Sequence, residues 1–144
     1  MLTLRSESGL LDWFAARGVH VVEGDTGTDW GRYYLGRGTV VLRRGLTAGQ
    51  RVATLAHEAA HVDRADDGHQ SAVVEARINE GVARLLISPA EYVVAERLCG
   101  CDVGWIASEL GVPAWCVAAY RRLLGRGARL DSGWTSRESK GTWR

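Results

Sequence analysis

Apolar positions along this chain fall into short clusters whose spacing changes from one segment to the next. Leu10, Leu11, Trp13 and Phe14 sit close together before Gly18 and Val19, which predicts a short helix over about residues 9–17 with Ser8 as its cap. The stretches VHVVEGD, GRYYLGRG and TVVLRR follow, rich in Val and Tyr and separated by Gly and Asp. They predict a small sheet between about residues 19 and 44, with Gly36-Arg37-Gly38 closing a hairpin. Thr47 with Gln50 three residues later has the form of a capping box, so a helix starts at 48. Its apolar face runs through Val52, Leu55, Ala56, Ala59 and Val62, and Asp66-Asp67-Gly68 would end it. A second helix over about 71–87 buries Val74, Ile78, Val82, Leu85 and Leu86. Ser88, Pro89 and Glu91 read as a cap, a first-turn proline and a reciprocal glutamate, opening a third helix to about 98. Two shorter helices, over about 103–110 and 113–124, flank Gly111-Val112-Pro113. The expected fold is therefore α+β, mostly helical, with a small N-terminal β-sheet and a C-terminal helix pair.

Composition narrows this to one domain. The 144 residues, with 46% apolar and 24% charged types, suit a globular chain with one core. From Gly125 onward Gly, Ser and Arg occur without periodicity, which predicts a domain over 1–124 and a basic, poorly ordered tail over 125–144. The net charge of +1 removes the general electrostatic case for nucleic acid or a membrane surface. That balance hides an asymmetry, net −4 up to residue 120 and net +5 beyond it, so an anionic partner would meet the C-terminal end. Three cysteines, an odd number, argue against a disulfide framework. Cys99-Gly100-Cys101 lacks the spacing of a metal or redox pair and reads as packing at a helix end. The N-terminus lacks the basic and apolar blocks of a signal peptide, and no apolar run approaches the roughly 18 to 20 residues of a membrane span. The expected location is the cytoplasm, with no membrane partner.

Chemistry concentrates in TLAHEAAH, residues 54–61. On a helix His57 and His61 are neighbours on one face, so both imidazoles can address one ion. Glu58 is rotated by about 100° from His57, too far round to be a ligand but able to reach water at the ion. Two nitrogen ligands, an open position and a nearby carboxylate are what metal-assisted hydrolysis requires. A shuffled chain of this composition yields the pattern about once in 150 times, so we read it as chemistry rather than as two surface histidines.

A catalytic zinc needs a third protein ligand. Arg64 and Asp67 occupy the places where a metzincin would continue with Gly and His, which excludes that class. Asp63, Asp66, Asp67, His69, Glu75 and Glu80 remain. Asp63 points away on the same helix, while Asp66, Asp67 and His69 lie in the turn. Glu75 is on the next helix, which an antiparallel hairpin returns to the histidines. Glu75 is the preferred ligand and His69 the runner-up. Asn79, one turn on from Glu75, is placed to accept the remaining N–H of a ligand histidine. Zinc suits this set, although manganese and iron use similar ligands.

TLAHEAAH followed by EARINEGVARLLISP, residues 75–89, resembles the ImmA/IrrE family of metallopeptidases. There an HExxH helix precedes a helix bearing Glu-x-x-x-Asn or Glu-x-x-x-Asp, then Leu-Leu and proline. The likeness extends to the leading helix and sheet and to the trailing helices around SELGVP, residues 108–113. It departs at Gly81, where the family has a bulky residue, and at the extra Ser88. The resemblance implies a zincin-like fold with one Zn2+ held by His57, His61 and Glu75. It also implies Glu58 as the catalytic glutamate and Asn79 in support, similar to thermolysin-like peptidases. It further implies an endopeptidase, of phage or actinobacterial type, that cleaves a helix-turn-helix repressor to relieve repression.

Two other readings are open. Residues 102–124 have the outline of a helix-turn-helix ending in Arg121 and Arg122, which would make the chain a DNA-binding regulator. The second helix, AWCVAAY, has few side chains able to read bases, so direct nucleic-acid binding is not expected. A zinc-bearing protein that binds a repressor without cutting it is the third class. No oxyanion donor stands out among Tyr33, Tyr34, His69, Tyr92 and the arginines, and the sheet edge near 30–43 offers a place for strand addition by a peptide.

Overall fold

The computed structural model describes residues 4–127, so all but the first three residues of the expected 125–144 tail, Trp134 and Trp143 included, lie outside the described residues. The chain is α+β and mostly helical. In order come α1 (Glu7–Ala16), β1 (His20–Gly24), β2 (Gly31–Tyr34), a short 3-10 turn (Leu35–Arg37) and β3 (Thr39–Arg43). Then follow α2 (Ala48–Arg64), α3 (Ala72–Leu86), α4 (Pro89–Cys99), α5 (Val103–Leu110) and α6 (Ala114–Gly125).

Helix α1 begins two residues before the expected start, because Ser6 and not Ser8 is its cap. Ser6 has the extended backbone a cap needs and its hydroxyl accepts from the Gly9 N–H at 3.1 Å. Leu10, Trp13 and Phe14 then face the core. In the sheet β3 is central, parallel to β1 and antiparallel to β2. Gly38, in the left-handed region at φ 54°, closes the expected hairpin between β2 and β3. Val40 and Leu42 of β3 are fully buried. β2 is an edge strand, bonded to β3 along one side only.

Helix α2 runs through the middle. Thr47 and Gln50 complete both halves of the capping box, at 3.2 and 2.9 Å. Ala53, Ala56, Ala59 and Ala60 are almost fully buried, and their small side chains let α1, α3 and the sheet approach the helix axis. A methyl at Gly49 would stand 2.4 Å from the Gly111 carbonyl oxygen, so the start of α2 presses directly on the turn between α5 and α6.

The helix ends at Arg64, before the expected Asp66-Asp67-Gly68. Ala65 takes a left-handed conformation, φ 55°, that glycine usually supplies at such ends. The Asp66 N–H donates to the His61 carbonyl at 3.0 Å, and the chain folds back on its own last turn. A left-handed alanine costs roughly 1 to 2 kcal/mol. Here that strain sets Asp66 beside His61.

Helix α4 packs on α5, α5 on α6 and α6 on α3, around Ile78, Val82, Ile106, Val117 and Tyr120. The last helix runs one residue past the expected 124. Gly125 is still helical, and Arg126 donates from Nη1 and Nη2 to both oxygens of buried Glu80, at 2.7 and 2.6 Å. The forked pairing ties the end of α6 to α3. Among the described residues no helix is long and apolar enough to cross a membrane.

Candidate metal centre

The two helices that carry the candidate ligands form a hairpin. α2 presents His57 and His61 one turn apart, and the 65–71 loop returns the chain so that Glu75, in the first turn of α3, faces them. His57 Nε2 and His61 Nε2 stand 3.2 Å apart. Glu75 Oε2 lies 3.1 Å from His57 Nε2, and its Oε1 lies 3.2 Å from His61 Nε2. Among the described residues these three form a cluster able to hold a metal ion.

The outer nitrogens decide what the inner ones can do. His57 Nδ1 donates to Asn79 Oδ1 at 2.8 Å, and His61 Nδ1 donates to Asp66 Oδ2 at 2.8 Å. With the proton committed at Nδ1, each neutral imidazole turns a bare lone pair inward at Nε2. Two lone pairs and a carboxylate this close repel one another unless a proton or a metal cation sits among them. Metal–ligand bonds of about 2.0 to 2.1 Å at tetrahedral angles place ligand atoms about 3.3 Å apart, close to the three separations here. The residues therefore fit a metal ion of zinc size.

Electrostatics agree. Burial opposes charge on His57, but its hydrogen bond with Glu75, the Glu58 and Glu75 charges and the Asn79 bond raise its pKa above the ordinary imidazole value. Burial alone would raise the Glu75 carboxyl. The hydrogen bond from His57, the His61 and His57 charges and the Gln70 N–H instead bring it down to about 2. Both shifts express the demand for positive charge between these groups.

Glu58 sits beside the cluster, not in it. Its side chain is 5% exposed, and it accepts no hydrogen bond from any described residue. Burial, first, pushes its carboxyl above the ordinary glutamate range, with Glu75 and Asp29 adding to the rise and His57 and His61 opposing it. Its neighbour is the edge strand. A Cβ on Gly31 would stand 2.6 Å from Thr54 Cγ2 and 3.3 Å from Glu58 Cγ. Only a glycine lets β2 lie this close to α2 at Glu58.

The cluster opens into a cavity of about 400 Å³ bordered by 28–33 of the β1–β2 loop and β2, by the 65–71 loop and by Trp115 of α6. The Trp115 ring meets His57 edge-on, with centroids 6.0 Å apart.

Of the other carboxylates weighed from sequence, Asp63 and Asp67 are exposed and outside the cluster. Glu80 is buried on the other side of α3 against Arg126, whose hydrogen bond chiefly lowers its pKa. His69 lies outside the cluster that the described residues form. Its side chain is 66% exposed and faces Asp29 across 3.5 Å. Asp66, weighed as a ligand, instead supports His61, and its Oδ2 also accepts from Arg64 Nε at 2.8 Å. Its buried place beside that histidine follows from the left-handed Ala65, which nothing in an alanine announces. Trp115 and Gly31 lay outside the sequence reading, since both reach the site through tertiary packing.

Among the oxyanion candidates, Tyr92 is remote. Its hydroxyl donates to Glu96 and accepts from Arg121, and it does not line the cavity. Arg121 also donates to the Cys101 carbonyl, and Arg122 stands 3.5 Å from Glu80. Both arginines of the helix-turn-helix outline are thus engaged within the fold, and α6 buries Cys116, Val117, Ala119, Tyr120 and Leu123. Comparison of the chain with family models, curated proteins and solved structures returns no match.

Proposed function

We propose that this chain is a zinc-dependent endopeptidase with a zincin-like fold, of the ImmA/IrrE kind that its HExxH and Glu-x-x-x-Asn segments resemble. The observation that carries the reading is the pairing of two unlike features in one cavity. Two imidazole nitrogens and a carboxylate converge on one point, and beside them is a buried carboxylate that accepts no hydrogen bond from any described residue. His57, His61 and Glu75 would hold the zinc, with Asn79 and Asp66 fixing the two imidazoles. When bound, zinc supplies Lewis acidity, lowering the pKa of a coordinated water to about 7 and polarising a carbonyl. Glu58 takes the proton of the attacking water at its carboxylate and returns it to the nitrogen of the departing amine. A carboxyl raised by burial is better matched to both transfers than an exposed glutamate.

The substrate is an extended protein segment. β2 offers it an edge beside Glu58, where main-chain pairing would set the scissile bond. Gly31→Ala is accordingly expected to push β2 off Thr54 and displace Glu58. At about 10²-fold in rate for an ångström of misplacement, kcat/KM should fall by up to that factor while zinc content is unchanged. Kinetics paired with metal analysis would check this.

The partner implied by the resemblance is a helix-turn-helix repressor in the same cytoplasm. The test is incubation of the zinc-loaded chain with the repressor encoded beside its gene, followed by mass spectrometry. Discrete cleavage by the wild type and none by Glu58→Gln supports the reading. Inactivation of the repressor by both, without cleavage, would favour the binding-only reading. Direct DNA binding is disfavoured by the burial of α6 and the internal engagement of Arg121 and Arg122.

A further inference from the structure

The sheet has a second face that the chemistry above leaves unused. Register fixes its membership. Gly31 and Tyr33 of β2 pair with buried Leu42 and Val40 of β3 and turn toward α2, so the alternate positions turn the other way. β1 follows the same rule: Val21, paired with Val40, packs on the core, and Glu23, paired with Leu42, reaches Arg51 of α2. Val22 is left outward beside Val41. Among the described residues no helix covers that outward face, and Val22 is 48% exposed in it.

The charge of this face is one-sided. Arg32 of β2 and Arg43 of β3 stand on it, Arg37 of the following turn joins them, and no strand position of the face holds a carboxylate. None of the three guanidiniums forms an ion pair with a described residue. Arg32 and Arg37 instead lie over the Tyr34 ring, each Cζ 5.8 Å from its centroid, which holds two cations in place without neutralising them. The body that carries this face is otherwise acidic, net −4 up to residue 120.

Unpaired cations beside an exposed aliphatic pair fit a partner that brings carboxylates and apolar side chains together, an acidic stretch of protein. A nucleic-acid strand fits less well, because its bases need open rings to stack on and Tyr34 already has two guanidiniums over it. The face also runs into the site. Arg32 and Trp30, the residue before β2, both border the cavity, so one extended chain can pair with the β2 edge and continue across the face.

We propose that this open sheet face docks an acidic segment of the protein substrate, away from the bond that is cut. Arg32, Arg37 and Arg43 take its carboxylates, and Val22 and Val41 its apolar side chains. This rests on the peptidase reading above.

Two experiments separate the inference from its foundation. In the first, fluorescence anisotropy on the zinc-loaded chain uses a labelled peptide of alternating Glu and Leu, its Gln and Leu counterpart, and an oligothymidylate. The acidic peptide should bind, and the double variant Arg37→Glu, Arg43→Glu should weaken it by about 3- to 30-fold, the range for two exposed charge pairs, with zinc content intact. The Gln and Leu peptide should bind the wild type more weakly by a similar factor. In the second, cleavage of the repressor by the same variant should show KM raised about 3- to 30-fold with kcat changed far less, and the wild-type KM should rise with salt more steeply than the variant's. Equal binding of the two peptides, or an unmoved KM in the variant, would overturn the docking face. Tighter binding of the oligothymidylate than of the acidic peptide, lost in the variant, would overturn it in favour of a nucleic-acid surface. Failure of the zinc-loaded wild type to cut the repressor would overturn the peptidase reading itself, and this inference with it.

Discussion

Glu58→Gln is expected to keep the metal and lose the reaction, with kcat down by about 10²- to 10⁴-fold, the range for a general acid–base group. The substitution preserves size and burial but cannot accept a proton. It removes a charge that lies outside the ligand cluster, so His57, His61 and Glu75 keep their arrangement. The pH dependence adds a second reading of the same residue. Burial raises the Glu58 carboxyl, so as pH falls its basic form is lost at a higher pH than in an exposed glutamate. Wild-type kcat/KM should therefore decline on the acid side through that raised value, and the residual rate of Glu58→Gln should lack this limb. Stopped assays across the acid range, with zinc quantified at every point, would check both. A variant with unimpaired cleavage would remove Glu58 from the mechanism.

The second large effect concerns stability. His61 is buried, and its two nitrogens are committed to Asp66 and to the cluster, so it joins the α2 end, the 65–71 loop and α3. Zinc that binds only the folded chain should stabilise it by about 2.7 kcal/mol at a free concentration of 100 times Kd. For a domain of this size that shifts the melting temperature by several degrees. His61→Ala should abolish this response and release the metal. Scanning calorimetry with and without zinc would measure it, and an unchanged zinc response in the variant would count against the ligand set.

How much of this was readable in advance varies with the range of the interaction. The start of α2 rests on Thr47 and Gln50, three residues apart, and the bounds of α5 on Asp102 and Gly111, so both were legible from local chemistry. The facing of His57 and His61 follows from helical spacing alone, and that of Glu75 and Asn79 from a short hairpin. Order within the sheet, with β3 between β1 and β2, was not legible, because three similar Val- and Tyr-rich runs do not state which pairs with which. Ser6 and Ser8 both suit a cap, and only the backbone of residue 6 separates them. Glu80 and Arg126 lie 46 residues apart, and nothing local announces their pairing. The partnership of Asp66 with His61 depended on an alanine in a conformation alanines seldom adopt.

The central claim is that one metal ion sits between His57, His61 and Glu75. A crystal of the zinc-loaded chain, measured across the zinc absorption edge, tests it most directly. The account requires one anomalous peak per chain, about 2.0 to 2.2 Å from both Nε2 atoms and from a Glu75 oxygen. A peak coordinated instead by His69 or Asp66, or no peak at this cluster from zinc-saturated protein, would contradict it.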